Sequence, residues 1–480
     1  MSTSMDFDLA ALQEARDLVR RARVAATAFA QFEPAKAWDI AMRVAKVCEA
    51  HAERFAHLAV QETGIGRVED KRFKNHLASR ALMDFHRRTP LGGIHMDTAR
   101  RMVRVGRPAG VVMGLIASTS PIATLYFKTL SCLMTRNALV LSPHPLAIHC
   151  STEAVELLIQ SALEAGAPEG CLQIQRQPTL EATHALMADP GVDVILATGG
   201  GPMVRAAYSS GNPALGVGPG NVPVYVDRSA DLTVAVDELV RAKIFDYGSA
   251  CSAPSVVFVH AEIEAEFRAR MARAGAFFCN TDQQRRLEAY AFPGGRLNTS
   301  IVGRSASVIA AGAGLPEAQG HDILVGELGD MDGQAEMPVL VKEKLSPILG
   351  WRRVSGRQQA IRNAQAMLKV SGAGHTSGIF AEDVETIVLW GASLDVNRTI
   401  VNKGTTMGAI GDGTNMAPTF TIGTGFAGRS SIDENVGPEH LVNWKRIAFP
   451  TDDIPSVEPA GDVRELIRSA LARALETTQG

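Results

Sequence analysis

The chain has 480 residues, of which 46% are hydrophobic and 21% are charged, and its formal net charge is -3. This length is too great for a single hydrophobic core, so the composition predicts an ordinary globular protein with two domains and appendages. The small net charge gives no reason to expect nucleic acid or a membrane as a partner, and no apolar run reaches the roughly 20 residues of a membrane span.

The cysteines and the first residues indicate the compartment. Six cysteines are scattered along the chain without a CxxC pair or a Cys/His cluster at zinc spacing. We therefore predict a reduced compartment, mostly buried thiols and no metal site. Residues 1–8 have neither the basic region nor the apolar region of a signal peptide, so we expect a cytoplasmic protein.

Helical and extended patterns alternate along the first half of the chain. Residues 8–32 and 37–62 have helical periodicity, and in the first of these segments the predicted buried stripe is Leu9, Leu12, Leu18, Val19 and Ala22. Residues 100–105 alternate arginine with apolar residues, as in a strand with one solvated face. Buried strands are predicted at 110–117, 138–142, 192–197 and 222–227, and helices at 122–135, at 147–164 and from Pro202 onward.

This repetition of strand, turn and helix predicts an α/β fold with a doubly wound parallel sheet. Its crossovers should be right-handed, and ligands should bind at the carboxyl ends of the strands. A helix predicted at 227–245 leads into a second α/β unit that reaches about residue 430. Beyond this unit Pro450, Pro455 and Pro459 indicate a linker, and Asp462 is predicted to cap a final helix.

Cys251 has the surroundings that suit a nucleophile. It lies among small residues, just before an apolar strand predicted at 255–259. A cysteine thiolate is a strong nucleophile, and its thioester transfers readily to another thiol. The glycine-rich turn at 216–221 contains no Asp or Glu to activate water. We therefore expect an acyl group on Cys251 to pass to an acceptor other than water, and we expect the other cysteines to be buried.

Two glycine-rich segments invite a nucleotide-binding interpretation. Residues 423–428 match GxGxxG, but no apolar helix follows and no βαβ unit fits in the remaining chain, so we expect a loop that borders a cleft. The turn at 199–201 precedes a helix, where free N–H groups and the helix dipole favour an anion. Two interpretations of this turn stay open, a phosphate site and an ordinary α/β connection.

Several separated segments together carry a resemblance. They are TRNA at 135–138, SPHP at 142–145, AAYSSG at 206–211, EKLSP at 343–347, GHTS at 374–377 and ENVGP at 434–438. From about residue 8 to about residue 450 the chain resembles CoA-acylating aldehyde dehydrogenases, and closely the aldehyde dehydrogenase half of bifunctional aldehyde–alcohol dehydrogenases. The resemblance implies an aldehyde dehydrogenase fold, with a Rossmann-like cofactor domain, an α/β catalytic domain and a small oligomerisation element.

The resemblance also implies a reaction, with NAD or NADP as cofactor and coenzyme A as co-substrate. Cys251 would attack a short aldehyde, hydride would pass to the nicotinamide, and CoA would take the acyl group from the resulting thioester. Sulfoacetaldehyde, acetaldehyde and propionaldehyde are the candidate aldehydes. One alternative is a hydrolytic aldehyde dehydrogenase in which another carboxylate, such as Asp246, activates water. The other alternative is a non-catalytic protein that binds the cofactor.

Roles for individual residues follow from the same resemblance. Glu343 matches the residue that holds the nicotinamide ribose, with a surface charge as the alternative. His375 matches a histidine that would titrate or orient the CoA thiol, with a structural histidine as the alternative. Ser120 belongs to the substrate pocket and stands where the family has an asparagine that donates to the oxyanion. The remaining predicted contacts are Ser118, Thr119, Ser142, His144, Pro145, Gly199, Gly200 and Gly218 for the cofactor and Phe426 and Arg429 for the substrate.

Two of these positions bear on specificity. No acidic residue near His144 stands ready to reject a 2′-phosphate, so NADP is expected to be possible alongside NAD. The guanidinium of Arg429 would pair with an anionic aldehyde such as sulfoacetaldehyde, with a solvated surface arginine as the alternative.

The resemblance finally implies how the chain is divided. Residues 1–241 form a cofactor-binding domain, within which 95–107 contribute to oligomerisation. Residues 242–431 form the catalytic domain, 432–450 form oligomerisation strands, and 451–480 form the linker and the C-terminal helix. Residues 100–105 and 436–449 resemble the paired strands through which family subunits dimerise, with plain edge strands as the alternative. A homodimer or homotetramer is expected.

Overall fold

Three sheets organise the part of the chain that the structure describes. The structure is a computed structural model, and it describes residues 7–97, 100, 102–332 and 337–449. The linker and the helix predicted at 451–480 lie outside these residues. Within the described ranges, no helix is both long and apolar enough to span a membrane.

Five helices come first in the chain. They are α1 (Phe7–Phe29), α2 (Pro34–Ala50), α3 (Ala52–Thr63), α4 (Val68–His76) and α5 (Leu82–His86). In α1 the buried face begins at Ala11 and includes Leu18, as the predicted stripe requires. The prediction for Leu9 is wrong, because this side chain lies in the first turn, ahead of the buried face, and is 60% exposed. Helix α1 ends earlier than predicted since the chain becomes extended before Pro34.

Two antiparallel strands follow, β1 (Gly93–Asp97) and β2 (Met102–Pro108). Strand β2 begins and ends later than the strand predicted at 100–105. Its side chains alternate as predicted, since Val103 and Val105 are buried and Arg104 between them is partly exposed.

A five-stranded parallel sheet carries the first doubly wound unit. Its strands are β3 (Val111–Leu115), β4 (Ala138–Ser142), β5 (Leu172–Ile174), β6 (Val194–Ala197) and β7 (Ala214–Gly216), in the order β5-β4-β3-β6-β7. The helices between them are α6 (Pro121–Met134), α7 (Ile148–Glu164), α8 (Leu180–Ala188) and α9 (Gly201–Tyr208). Strand order reverses between β3 and β6, so the carboxyl ends of these strands form the crevice where doubly wound folds bind ligands.

A seven-stranded parallel sheet forms the second unit, in the order β10-β11-β12-β9-β8-β13-β14. Its strands are β8 (Val222–Val226), β9 (Pro254–His260), β10 (Ala276–Phe278), β11 (Ile323–Glu327), β12 (Ile348–Val354), β13 (Ser377–Phe380) and β14 (Thr399–Val401). Its helices are α10 (Leu232–Ile244), α11 (Glu264–Arg273), α12 (Thr281–Ala291), α13 (Ala306–Gly312), α14 (Arg357–Val370), α15 (Val384–Ser393) and α16 (Thr405–Gly408). The predicted α/β fold class is confirmed.

Strand β8 corrects one expectation about the sheets. The sequence pattern places this strand with the first unit, inside the segment 1–241, but it pairs with β9 and β13 in the second sheet. The reason is that a run of buried apolar residues specifies a strand without specifying its neighbours. Only long-range packing selects the sheet that β8 joins.

The last described strand, β15 (Val442–Ala448), pairs antiparallel with β2 along its whole length. Together β1, β2 and β15 make the third sheet. The two predicted strand segments therefore do pair, within one chain. Their part in joining subunits remains a prediction.

Candidate active site

Cys251 lies in the loop between a 3-10 turn at Phe245–Gly248 and strand β9. It is partly exposed, whereas the other five cysteines of the chain are buried, as predicted. The backbone of Gly220 is packed against this loop so closely that a Cβ at residue 220 would lie 1.8 Å from the Cys251 carbonyl oxygen. Glycine is thus required at 220, and it brings the glycine-rich turn against the nucleophile.

Gly216 shows why this turn has no water-activating carboxylate. A Cβ at residue 216 would lie 2.9 Å from side-chain carbons of both Tyr208 and Val204. The Tyr208 hydroxyl also accepts a hydrogen bond from the Gly216 N–H at 2.8 Å and lies 2.9 Å from the Ser430 hydroxyl. A glutamate at 216, where the resemblance puts the water-activating glutamate of hydrolytic family members, would have to displace these neighbours.

Asp246 is close to Cys251 in sequence but is unsuited to activating water. Burial favours its protonated form, but Lys74, Lys71 and the N–H of Arg67 outweigh this effect and lower the pKa of Asp246 to about 2. Its carboxylate is fully buried and forms ion pairs with both lysines. A group with this pKa and these partners does not accept a proton from water near neutral pH.

The surroundings of Cys251 favour its protonated thiol. Burial, followed by the charge of Glu343, raises the pKa of the thiol to about 12. The backbone N–H groups of Cys251 and Ser252 and the charge of Arg398 act in the opposite direction. Formation of the reactive thiolate therefore requires removal of a proton against an unfavourable local field.

Glu343 is partly buried and near enough to Cys251 to affect that thiol. Burial raises the pKa of Glu343 to about 8, although the Gly220 N–H, Lys344 and Lys243 lower it. A solvated surface charge does not fit these surroundings. The Glu343 carboxylate accepts from the Gly220 N–H, in the turn that packs against Cys251, and its contact with the nicotinamide ribose remains a prediction.

His375 is completely buried beside the same loop region. Its Nδ1 lies 3.0 Å from the Thr376 hydroxyl, and its Nε2 has no hydrogen-bond partner among the described residues. Burial, and then the charge of Arg398, lower the pKa of His375 to about 3. The imidazole is therefore neutral near pH 7, and the expectation that it titrates there does not hold. A role in orienting the CoA thiol stays a prediction.

Arg398 is a site residue that the sequence reasoning missed. Its guanidinium donates to the carbonyl oxygens of His375 at 2.7 Å, Gly423 at 2.6 Å and Asp433 at 2.9 Å, and the side chain is buried. It joins the 374–377 segment to the 423–433 loop and places a cation near Cys251. A lone arginine before β14 carries no signal of this role in the sequence.

The crevice between β3 and β6 contains four of the predicted cofactor contacts. Ser118 and Thr119 follow β3 and are partly exposed, and Gly199 and Gly200 follow β6 and are exposed. A Cβ at Gly199 or Gly200 would meet nothing closer than 3.8 Å, so the space above the turn is open. Helix α9 begins there without a side-chain cap, which leaves N–H groups free to bind an anion.

Lys128 of α6, which the sequence reasoning also missed, holds the two strands at this crevice together. Its Nζ is buried and donates to the carbonyl oxygens of Leu115 and, at 2.8 Å, of Leu196. These residues belong to β3 and β6 respectively.

The remaining predicted cofactor residues have different surroundings. His144 and Pro145 are exposed after β4, with His144 Nδ1 accepting from the Leu146 N–H at 3.1 Å. Ser142 is buried, and its hydroxyl donates to Gln175 at 2.9 Å. The Gly218 N–H donates to the Thr424 hydroxyl at 3.2 Å. His144 and Pro145 are thus accessible to a ligand, whereas the Ser142 hydroxyl is buried and already hydrogen-bonded to Gln175.

The predicted pocket residues do not all lie together. Phe426 is 92% exposed, and Arg429 is exposed on the same loop with a left-handed φ of 57°. Ser120 is held by Lys74, whose Nζ donates to its Oγ at 2.7 Å. The apolar side chains that actually form a cluster with Cys251 come from four distant segments, which sequence spacing does not connect: Leu77, Ala81, Val217, Ala409, Ile410, Phe420 and Ile422.

Comparison with known proteins agrees with this geometry. The model of the aldehyde dehydrogenase family matches residues 2–283. An aldehyde-alcohol dehydrogenase of Streptococcus pneumoniae is 38% identical over 410 residues, which are 83% of this chain and 46% of that protein. A succinate-semialdehyde dehydrogenase (acetylating) of Clostridium kluyveri is 35% identical over 451 residues, which are 92% of this chain and 98% of that protein.

A solved structure extends the comparison to the fold. The crystal structure of an acetylating aldehyde dehydrogenase from Geobacillus thermoglucosidasius has a TM-score of 0.90 and 38% sequence identity, over 94% of this chain and 99% of that one. The chain spans about half the length of the aldehyde-alcohol dehydrogenases that it matches. The chain belongs to the aldehyde dehydrogenase family, and its predicted resemblance to the acylating members of that family is confirmed.

Proposed function

We propose that this protein catalyses the reversible, NAD(P)-dependent and CoA-acylating oxidation of a short aldehyde. The observation that carries the proposal is the pairing of a partly exposed Cys251 with a turn at 216–221 that has no carboxylate and no room for one at Gly216. The similarity to an acetylating relative over 92% of the chain supports the same reaction. The hydrolytic alternative is not favoured, because Asp246 is locked in ion pairs.

The chemistry centres on the sulfur of Cys251. Its thiolate forms a C–S bond with the aldehyde carbon, and the carbonyl π electrons move to oxygen, giving the alkoxide of a thiohemiacetal. A bound nicotinamide would supply the hydride acceptor, so that loss of hydride from the carbon attached to the Cys251 sulfur re-forms the C=O bond as a thioester. The CoA thiolate then attacks the thioester and releases Cys251, which is ready for another aldehyde.

Three features of the structure support the binding of a dinucleotide: the 199–200 turn, the exposed residues after β4, and Glu343. The open Gly199–Gly200 turn at the uncapped start of α9 suits a phosphate, and the exposed His144 and Pro145 suit the adenosine ribose. Glu343 is assigned to the nicotinamide ribose on the strength of its match to the family residue and its position near Cys251. The sequence has no acidic residue near His144 that would reject the 2′-phosphate of NADP. We therefore assign no preference between NAD and NADP.

The second half-reaction requires the CoA thiol to reach the thioester. We assign His375 to orienting this thiol, because its Nε2 is unpartnered among the described residues and its ring is neutral. Sulfoacetaldehyde, acetaldehyde and propionaldehyde remain the candidate substrates, and succinate semialdehyde joins them through the Clostridium kluyveri relative. We assign Phe426 and Arg429, which are both exposed, to the substrate pocket.

The remaining proposals concern organisation. We assign residues 1–241, apart from β8, to cofactor binding, 242–431 to catalysis, and 95–107 with 432–450 to oligomerisation in a homodimer or homotetramer. The continuous pairing of β2 with β15 supports the assignment to oligomerisation, because the two strands form one structural element for contact with a second subunit. A cytoplasmic location is proposed because the thiol chemistry needs a reduced compartment.

The test is NAD(P)H formation by the purified protein with these four aldehydes, in the presence and absence of CoA. We expect turnover that depends on CoA and is abolished in Cys251→Ala, with Cys279→Ala as the matched control because that cysteine is buried in the catalytic unit. Equal turnover without CoA would contradict the proposal in favour of hydrolysis. No Cys251-dependent turnover with any aldehyde would favour a non-catalytic protein.

A further inference from the structure

The chain reaches Cys251 through a left-handed turn at residues 246–248. The φ and ψ angles are 49° and 36° at Asp246 and 52° and 39° at Tyr247, and φ is 65° at Gly248. Among the described residues, Asp246 and Tyr247 are the only two neighbouring non-glycine residues with a left-handed φ. This region is disfavoured for residues with a Cβ, because the side chain crowds the following carbonyl oxygen. The turn therefore needs contacts that hold it.

Asp246 supplies those contacts, through its backbone and its side chain together. Its N–H donates to Oδ2 of Asp70 at 2.8 Å, and its Oδ1 accepts from the Arg67 N–H at 2.8 Å. Its Oδ2 accepts from Nζ of Lys71 at 3.0 Å and from Nζ of Lys74. The residue is completely buried. Helix α4 and the residue before it thus fix both the main chain and the carboxylate of Asp246.

Tyr247 has the same backbone conformation in a different environment. Its side chain is partly exposed, and the centre of its ring lies 5.9 Å from Cζ of Arg67. A tyrosine is unusual in the left-handed region, where glycine, asparagine and aspartate are the residues commonly found. The residue type at 247 therefore adds strain to the turn. Replacing it removes none of the buried contacts of Asp246.

The turn is connected to Cys251 by short-range contacts. The Asp246 carbonyl oxygen accepts from the Ser249 N–H at 3.2 Å, and the Ser249 hydroxyl donates to the Asp246 carboxylate at 3.1 Å. On the other side of the nucleophile, the Ser252 carbonyl oxygen accepts from the Thr405 hydroxyl at 2.7 Å. Cys251 therefore lies between one segment fixed by Asp246 and another fixed by Thr405.

The turn belongs to the second unit, but the helix that holds it is bound to the first. The loop with Cys251 leads into β9 of the seven-stranded sheet. Lys71 of α4 donates to Asp246 and also, at 2.8 Å, to the carbonyl oxygen of Thr119, which follows β3 at the crevice. One ammonium group thus connects the turn before the nucleophile to the crevice in which the cofactor is predicted to bind.

We propose that the turn at 246–248 is a strained positioning element, which α4 keeps left-handed so that Cys251 has a fixed position relative to the β3–β6 crevice. Asp70 and Asp246 are positioning residues, because they act through the main chain. Strain of this kind persists only where surrounding contacts determine the backbone, so loss of a contact should release the turn. The inference rests on the proposed function for the role of Cys251, but the hold of α4 on the turn can be measured without turnover.

The main test is Asp70→Ala, which removes the acceptor of the Asp246 N–H. A misplacement of about 1 Å can cost about 10²-fold in rate, so we expect kcat to fall by up to that factor, with little change in the KM for NAD(P). Arg67→Met is the matched control, since it removes the ion pair with Asp70 but leaves both main-chain bonds to the turn. An unchanged kcat in Asp70→Ala, measured well below its melting temperature, would overturn the proposal.

Substitutions at 247 separate backbone strain from lost contacts. Glycine takes a left-handed φ without steric cost, whereas alanine keeps the Cβ that opposes it. In the Asp70→Ala background, Tyr247→Gly should therefore raise kcat by about tenfold and Tyr247→Ala should not. Equal recovery with both would assign the effect to the tyrosine ring, and recovery with neither would show that strain does not control Cys251. Either result would contradict the proposal.

Alkylation of Cys251 by iodoacetamide gives a readout that does not depend on turnover. Release of the turn should expose the half-buried thiol, so Asp70→Ala should be alkylated faster than the unaltered protein and faster than Arg67→Met. Adding Tyr247→Gly should bring the rate back. An alkylation rate unaffected by Asp70→Ala would refute the role of the turn. If the unaltered protein shows no Cys251-dependent turnover, the proposed function is wrong, and the alkylation series alone decides whether the turn positions the thiol.

Discussion

Two buried cationic sites lie in the region of Cys251, and their positive charges have different partners. In the cluster of Lys71, Lys74 and Asp246, a carboxylate meets the ammonium groups directly. Arg398, the second site, is hydrogen-bonded only to backbone carbonyl oxygens among the described residues. The first site confines its charge within an ion-paired network, whereas the second leaves a guanidinium charge that acts on the Cys251 thiol.

The difference indicates two separate tasks. Ion pairing makes the Asp246 cluster a rigid support for neighbouring loops, because removal of either partner would leave a buried charge uncompensated. Partial dipoles of carbonyl groups orient the Arg398 side chain but do not neutralise it, so its field favours the thiolate. One site therefore positions the residues around the nucleophile, and the other adjusts how readily the nucleophile ionises.

The largest expected effect comes from Asp246→Asn. This change leaves two buried lysines without their carboxylate, and breaking a buried pair in this way costs about 3–5 kcal/mol of stability. The measurement is the free energy of unfolding in urea. Adding Lys71→Met to Asp246→Asn removes one of the unpaired charges and should recover part of the loss. A double variant that is no more stable than the single variant would contradict the ion-pair account.

The same carboxylate predicts a pH dependence of stability. The pKa of Asp246 is lowered to about 2 in the folded protein, against about 3.9 for an unfolded aspartate. A lowered pKa stabilises the folded state above the unfolded value, and this contribution is lost as pH falls from about 4 to about 2. The melting temperatures of the unaltered protein and of Asp246→Asn should therefore become similar as pH falls toward 2. The difference between them should widen as pH rises toward 5.

Arg398→Met and Arg398→Lys are expected to differ in the behaviour of Cys251. Either change removes hydrogen-bond donors from buried carbonyl groups. Because a hydrogen bond from a charged donor contributes about 1.5–3 kcal/mol to stability, both variants should be less stable than the unaltered protein. Only Arg398→Met removes the charge, and the pH profile for alkylation of Cys251 should then shift to higher pH. An equal shift in Arg398→Lys would show that the fork geometry, and not the charge, controls the thiol.

The smallest expected effect is that of Glu343→Gln, which removes the anion that opposes ionisation of Cys251. Because burial raises the pKa of Glu343 to about 8, its charge develops above that pH, and the variant should be alkylated faster only there. Glu327→Gln is the control, since Glu327 is exposed at the end of β11. Faster alkylation of Glu343→Gln at pH 6 would contradict this account.

Local sequence patterns predicted most of the strands and helices that build the site. The strand at 138–142 has the predicted limits, and the strands observed as Val111–Leu115 and Val194–Ala197 lie inside the predicted segments. These patterns succeed because a parallel sheet buried on both faces demands short apolar runs ended by turns. The sheet that β8 joins was not predicted, because pairing partners are chosen by packing over long distances.

The sequence motifs predicted residues for the chemistry but did not predict the charged groups that surround them. Cys251 and the carboxylate-free turn were predicted from the residues and Glu343 from the family resemblance, and their roles remain predictions. Arg398 and Lys74 were not predicted, because the sequence does not show whether an arginine or lysine side chain is buried or solvated. The near-neutral titration expected for His375 was wrong for a related reason, because burial sets its pKa and burial is absent from the local sequence.

The sequence by itself determined the α/β class and the absence of a carboxylate in the turn at 216–221, and it predicted Cys251 as the nucleophile. These depend on residue identity and on local periodicity, which the chain carries without folding. Only the tertiary structure decided that a side chain at Gly216 would meet Tyr208 and Val204, that Asp246 is held by two lysines and that Ser120 accepts a hydrogen bond from Lys74. Each of these facts depends on distances between segments remote in the chain, and those distances exist only after the two sheets have packed.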